Sequence, residues 1–173
     1  LLDGAVDIYM PDLKFADPAA GCRLSGIEDY PARARAALLE MHRQLGDDWL
    51  LAPDGALQRG LLIRMLVLPE GLAGIEDSLA WVARELSPRV AISLLAQYHP
   101  AHRILSTGAF PELARRISEQ EWRAAVTALE RHMAGDRHHV QGSNGARIRS
   151  AGSRTVDADG SRSVRPGNRR RGY

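Results

Sequence analysis

Between Gly60 and Pro69 the chain runs Leu-Leu-Ile-Arg-Met-Leu-Val-Leu, a stretch apolar at every position but one. Eight residues is strand length, and a strand without polar alternation is expected to be covered on both faces, as in a parallel sheet. The run is interrupted by Arg64 and is far too short to cross a bilayer, so it argues against a transmembrane protein. An unpaired guanidinium inside such a strand would cost several kcal/mol, roughly, so Arg64 must meet a carboxylate of the core or reach a wet cavity.

Around this strand the pattern alternates. Residues 5–10, Ala-Val-Asp-Ile-Tyr-Met, read as a short strand ending at Pro11. A loop with Pro18, Gly21 and Gly26 follows, then Ala34, Ala37, Leu38, Met41 and Leu45 at helical spacing, closed by Gly46. Pro53-Asp54-Gly55 between Trp49-Leu50-Leu51 and Ala56-Leu57 predicts a small hairpin. A helix is expected over 75–86 from Ile75, Leu79, Val82, Ala83 and Leu86, stopping before Pro88, and a third strand over Val90–Ala96. The last helix, 119–133, is opened by Ser118 with Glu121 three positions on, the capping-box spacing.

Three strand–helix alternations predict βα units with right-handed crossovers and a parallel α/β sheet over residues 1–135. Three strands are few for a finished domain, and the first starts so early that its outer edge is expected to lack a neighbour from this chain. From about residue 136 to 173, Gly, Ser, Arg and Asp dominate without periodicity, which predicts a disordered tail. Residues 143–173 hold eight Arg against two Asp, so of the formal net charge of +2 the tail carries +6 and the rest −4. Arg169-Arg170-Arg171 could bind phosphate without specificity, but no aromatic-interleaved basic surface points to a specific nucleic-acid partner.

One cysteine, Cys22, excludes an internal disulfide framework and any Cys-only metal or iron–sulfur site built within the chain; cytoplasm is the expected compartment, with no membrane partner. The first ten residues hold Asp3 and Asp7 and lack the pattern of a signal peptide. No Gly-Lys-Ser/Thr follows Gly71 and Gly74, so no phosphate loop is expected. His138-His139 falls in the tail and does not read as a metal site.

Four residues stand out for chemistry. Asp12 and Lys14, two apart, share one side of the chain just past the first strand, at the end where α/β sheets bind ligands. For an isolated Asp-x-Lys, a surface ion pair is the plainer explanation. Lys14 is the one lysine beside 22 arginines, which suits a site needing an ammonium, although chance gives the same count. In the third strand Ala91, Ser93, Leu95, Gln97 and His99 form a small and polar face opposite Val90, Ile92, Leu94 and Tyr98. The polar face suits a pocket wall, with His99 at its rim either as a ligand contact or as a structural hydrogen-bonder.

Taken in order, Val6-Asp7-Ile8-Tyr9-Met10-Pro11-Asp12-Leu13-Lys14, Arg59-Gly60-Leu61-Leu62-Ile63-Arg64, Leu66-Val67-Leu68-Pro69 and Ser93-Leu94-Leu95-Ala96-Gln97-Tyr98-His99-Pro100 resemble the C-terminal half of radical S-adenosylmethionine proteins similar to pyruvate formate-lyase activating enzymes. The succession covers roughly residues 1–133. The resemblance implies an incomplete (β/α)6 barrel, of which this chain supplies the last three βα units. It implies that Asp12 and Lys14 help hold the amino-acid end or nearby charge of S-adenosylmethionine, that Arg64 lies beside it in the lumen, and that His99 bonds the adenosine portion. In the complete protein a 4Fe–4S cluster would cleave the cofactor to a 5′-deoxyadenosyl radical, with a glycyl-radical-type protein as a possible substrate.

The family's Cys-x3-Cys-x2-Cys loop and early Gly-rich strand are not in this sequence, and Glu70 stands where the family commonly has Gly, with Gly71 one place late. A truncated coding region, or the downstream piece of a split gene, is the expected account. The chain alone is then expected to be inactive, or to act only with a partner that carries the cluster half.

Overall fold

The computed structural model describes residues 2–101, 103–134, 139–141 and 147–148. It is a mixed α/β structure in which β1 (Ile8–Tyr9), α1 (Pro18–Ser25), α2 (Tyr30–Leu45), β2 (Leu50–Leu51), β3 (Leu57–Leu66), α3 (Ile75–Glu85), β4 (Ala91–Leu95), α4 (Arg103–Thr107), α5 (Glu119–His132), β5 (His139–Gln141) and β6 (Arg147–Ile148) follow one another. The sheet is open, in the order β1-β3-β4-β5-β6, with β2 antiparallel to β3 through the expected hairpin. β1 with β3, β3 with β4, and β4 with β5 are parallel; β6 returns antiparallel. Two short strands thus lie in the stretch expected to be without structure. The remainder of that stretch, with His138 and Arg169-Arg170-Arg171, lies outside the described residues.

The expected helices at 31–45, 75–86 and 119–133 are present within two residues of their bounds as α2, α3 and α5. The capping box at Ser118 and Glu121 is formed in both directions. Residues 11–30 are not all loop, however. Asp17 caps Ala20 N–H, Pro18 opens α1, and Gly26 closes it in the left-handed conformation (φ 72°). The first strand ends at Tyr9, before Pro11, but parallel pairing resumes past the proline as an isolated bridge between Asp12 and Arg64. Proline removes one ladder donor but keeps its carbonyl, which accepts from Arg64 N–H at 2.9 Å, and Leu13 N–H then donates to Arg64 O at 2.9 Å.

One face of the sheet carries the core. Leu13, Leu61, Ile63, Met65, Ile92, Leu94 and Val140 pack with Leu38 of α2, Leu79 and Val82 of α3, and Trp122, Ala125 and Leu129 of α5. On the opposite parity of β3, Leu62, Arg64 and Leu66 are only half-buried. Burial of this strand on both faces is therefore not what forms: helices cover one side, and the other is lined at its upper end by strand and loop residues. This open face is where the polar row lies. Arg64 of β3 is the register partner of Asp12, which lies just past β1, on one side and of the buried Ser93 of β4 on the other.

Candidate functional site

At the C-terminal ends of β1, β3 and β4, a cavity of about 370 Å³ is lined by Asp12, Lys14, Phe15, Arg64, Leu66, Leu68, Leu95 and Gln97. None of these residues is helical, because strand-end and loop positions are the ones that parallel βα units turn toward a common mouth. Three of the four residues singled out from the sequence meet there. Arg64 Nε donates to Asp12 Oδ1 at 2.7 Å, and Lys14 Nζ stands 3.7 Å from Asp12 Oδ2. One carboxylate thus lies between two cations, leaving the cluster a formal charge of +1. The Arg64 and Asp12 side chains are 39% and 37% exposed, so the pair contributes only ~0–1 kcal/mol to stability. The anion that strand chemistry demanded for Arg64 is Asp12, but the guanidinium is also wet.

His99 is placed otherwise. It is exposed, its Nδ1 lies 3.4 Å from the carbonyl of Gln97, and it is not among the cavity-lining residues. Gln97, on the same parity of the strand, does line the cavity, as the small and polar face of this segment suggested. The greasy parity, Val90, Ile92 and Leu94, is buried in the core.

Sequence reasoning missed Phe15 and Tyr30. The Tyr30 hydroxyl accepts from Lys14 N–H at 2.9 Å and donates to the Asp12 carbonyl at 3.3 Å. Its ring meets Phe15 edge-on, with centroids 5.4 Å apart at 75°. Burial raises the Tyr30 pKa above its ordinary value; the bond from Lys14 N–H opposes that rise, and the Asp12 charge adds to it. The hydroxyl therefore stays protonated and able to donate. An aromatic residue opening a helix gives no sequence signal that it reaches back eighteen residues to Asp12.

Chemically, the cavity offers a guanidinium and an ammonium for an anionic group, a carboxylate for a cationic one, an amide, and a wall of Phe15, Leu66, Leu68 and Leu95 for an apolar or aryl body. Among the described residues no helix is long and apolar enough to cross a membrane.

No protein-family model matches the chain, and no solved structure does. The chain is similar to an uncharacterized protein of Methanocaldococcus jannaschii, MJ0674, with 26% identity over 133 residues that make up 76% of this chain and 34% of that protein. The chain spans about a third of the length of the curated relative it matches.

Proposed function

We propose that this chain is the cofactor-facing second half of a radical S-adenosylmethionine oxidoreductase resembling the activases of glycyl-radical enzymes, built as the last three βα units of an incomplete (β/α)6 barrel. The observation that carries the reading is the meeting of Asp12, Lys14 and Arg64 in one cavity at the C-terminal strand ends. The donor set suits the cofactor. Its carboxylate matches Arg64 and Lys14, its amino and sulfonium charges match Asp12, and its adenosine portion matches the apolar wall with Gln97 at the edge. His99 contributes only if it turns in from its exposed position.

When bound beside a reduced 4Fe–4S cluster, the cofactor supplies a 5′-deoxyadenosyl radical that abstracts hydrogen from a substrate, for which a glycyl-radical-type protein is the proposed partner. Cys22 is the chain's one cysteine, so these residues do not fit the cluster and its ligands must come from elsewhere. This chain's part is to bind and orient: Arg64 and Lys14 fix the anionic end, and Asp12 keeps both cations aimed at it. A second reading is a non-catalytic half-barrel that works only in complex with a chain carrying the cluster half. It is favoured by β1 lying at the sheet edge with Ile8 and Met10 exposed.

Calorimetric titration of the chain with S-adenosylmethionine tests the reading. Saturable binding that Arg64→Leu weakens at least about tenfold is expected, as for loss of one charge-assisted bond. Absence of binding, or affinity indifferent to Arg64, would overturn it. With iron, sulfide and reductant added, the chain alone is expected to release no 5′-deoxyadenosine; its appearance would show that the cluster can be held here after all.

A further inference from the structure

We infer that Tyr30 is a positioning residue for the cation–carboxylate corner of the cavity, its hydroxyl standing in for the residue of a neighbouring strand. In a parallel ladder, one residue of a neighbouring strand donates to the carbonyl at one position and accepts from the N–H two positions later. On its inner side the segment 11–13 makes that pattern with Arg64, whose N–H donates to Pro11 O and whose carbonyl accepts from Leu13 N–H. Alternation turns the carbonyl of Asp12 and the N–H of Lys14 the other way, toward the sheet's outer edge. Both are taken by one atom, the Tyr30 oxygen, which donates to Asp12 O at 3.3 Å and accepts from Lys14 N–H at 2.9 Å.

The stretch from Pro11 to Lys14 is thus held from both sides although it lies at the edge of the sheet. Without the hydroxyl, its outer groups would turn to water and the segment would keep only the inner pair of bonds. The side chains of Asp12 and Lys14 hang from that segment, so its position determines whether the ammonium and the carboxylate share the cavity with Arg64. The tyrosine is itself supported. It opens α2 next to Pro31, Phe15 meets its ring, and Gly21 of α1 leaves room for it, since a Cβ there would lie 3.1 Å from Tyr30 Cβ. Tyr30→Phe removes the hydroxyl and keeps all three supports.

Because Lys14 is the one lysine, uniform labelling with 15N-lysine yields one backbone amide and one side-chain ammonium signal, both from the residue in question. In the native chain the Lys14 amide is expected to exchange slowly with solvent. In Tyr30→Phe it should exchange at least about tenfold faster, while amides of β3 and β4 and the unfolding midpoint stay nearly unchanged. The ammonium signal should move toward that of free lysine. The inference rests on the cofactor reading for one arm only: S-adenosylmethionine binding should weaken by about tenfold in Tyr30→Phe. An exposed Lys14 amide in the native chain, an amide unaffected by the substitution, or protection lost equally across the sheet would overturn the positioning role. So would unchanged cofactor affinity in a variant whose Lys14 amide has opened. Should the native chain bind no S-adenosylmethionine while the Lys14 signals respond as expected, the clamp stands and the cofactor reading falls.

Discussion

Arg64 and Asp12 are fifty-two residues apart in sequence, yet an isolated parallel bridge just past the end of β1 makes them register partners, and their side chains meet at 2.7 Å on the open face of the sheet. Both are more than a third exposed, so the contact does little for stability and is free to serve recognition. Arg64→Leu is therefore expected to shift the unfolding free energy by no more than ~1 kcal/mol, since an exposed pair is lost and an apolar side chain takes its place. Asp12→Asn should behave alike. Urea unfolding of both variants checks this; a loss well beyond that figure would mean that the pair holds the fold and is not poised for a ligand.

Glu70 is the one non-glycine residue with positive φ among the described residues, at φ 56° and ψ 24°. A side chain in that conformation costs ~1–2 kcal/mol, and glycine relieves it at an unfolded-state cost of ~0.5–1 kcal/mol. Its carboxylate contributes little in return, standing 3.8 Å from an exposed Arg115. Its N–H, which donates to Glu121 Oε1, survives any substitution but proline. Glu70→Gly is expected to raise stability by about 0.5–1 kcal/mol, whereas Glu70→Ala keeps the strain and gains nothing. Comparing the two variants by thermal unfolding separates backbone relief from loss of charge.

How far the fold and the site are legible in the sequence follows the range of each signal. The long helices and the β3 run were readable because periodicity and capping act within a few residues, as Ser118 and Glu121 show. α1 was hidden because Pro18, Gly21 and Gly26 read as breakers, although Pro at the first turn and Gly just past the end are terminus signals. In the site, Asp12, Lys14 and Arg64 were visible as polar residues in or beside apolar strands. Tyr30 was not, since its role depends on how α2 returns against the end of β1. Coverage of one face only is likewise a tertiary fact: Leu62 and Leu66 look no different from Leu61 and Ile63 in the sequence, but only the latter two are buried.

Acid should release the start of α5. Arg115 beside Glu121 holds its carboxyl well below the usual carboxylate range; burial opposes this, and bonds from the N–H groups of Ser118 and Glu70 add to it. A carboxyl with a depressed folded pKa adds stability that is fully present above its unfolded pKa, about 4.3, and is lost as pH falls toward the folded value. Glu121→Gln cannot titrate, so its stability should fall less steeply between about pH 4.5 and 2. At neutral pH it should be the weaker protein by about 0.5–2 kcal/mol, the usual worth of a cap interaction. Unfolding free energies of the two proteins across that range provide the check; parallel curves would show that the Arg115–Glu121 contact does not form in solution.

Gly74, at φ 63° just before α3, meets the segment that carries the site: a Cβ there would lie 2.7 Å from the Cβ of Ala16, whose N–H donates to Ala73 O at 3.2 Å. Gly74→Ala therefore combines a left-handed backbone with an overlap that only backbone movement can relieve, since Ala16 has no flexible end to turn away. The two costs, ~1–2 and ~1–3 kcal/mol, predict a loss of roughly 2–5 kcal/mol. Relief by moving Ala16 would displace Phe15 and Lys14 with it, so the Lys14 ammonium signal should shift in this variant even where the protein remains folded. Gly71→Ala is the matched control, for Gly71 has φ 66° but no atom within 4 Å of its Cβ position, and it should show only the smaller backbone cost. Equal losses in the two variants would mean that the contact with Ala16 adds nothing and that the turn into α3 is not coupled to the cavity.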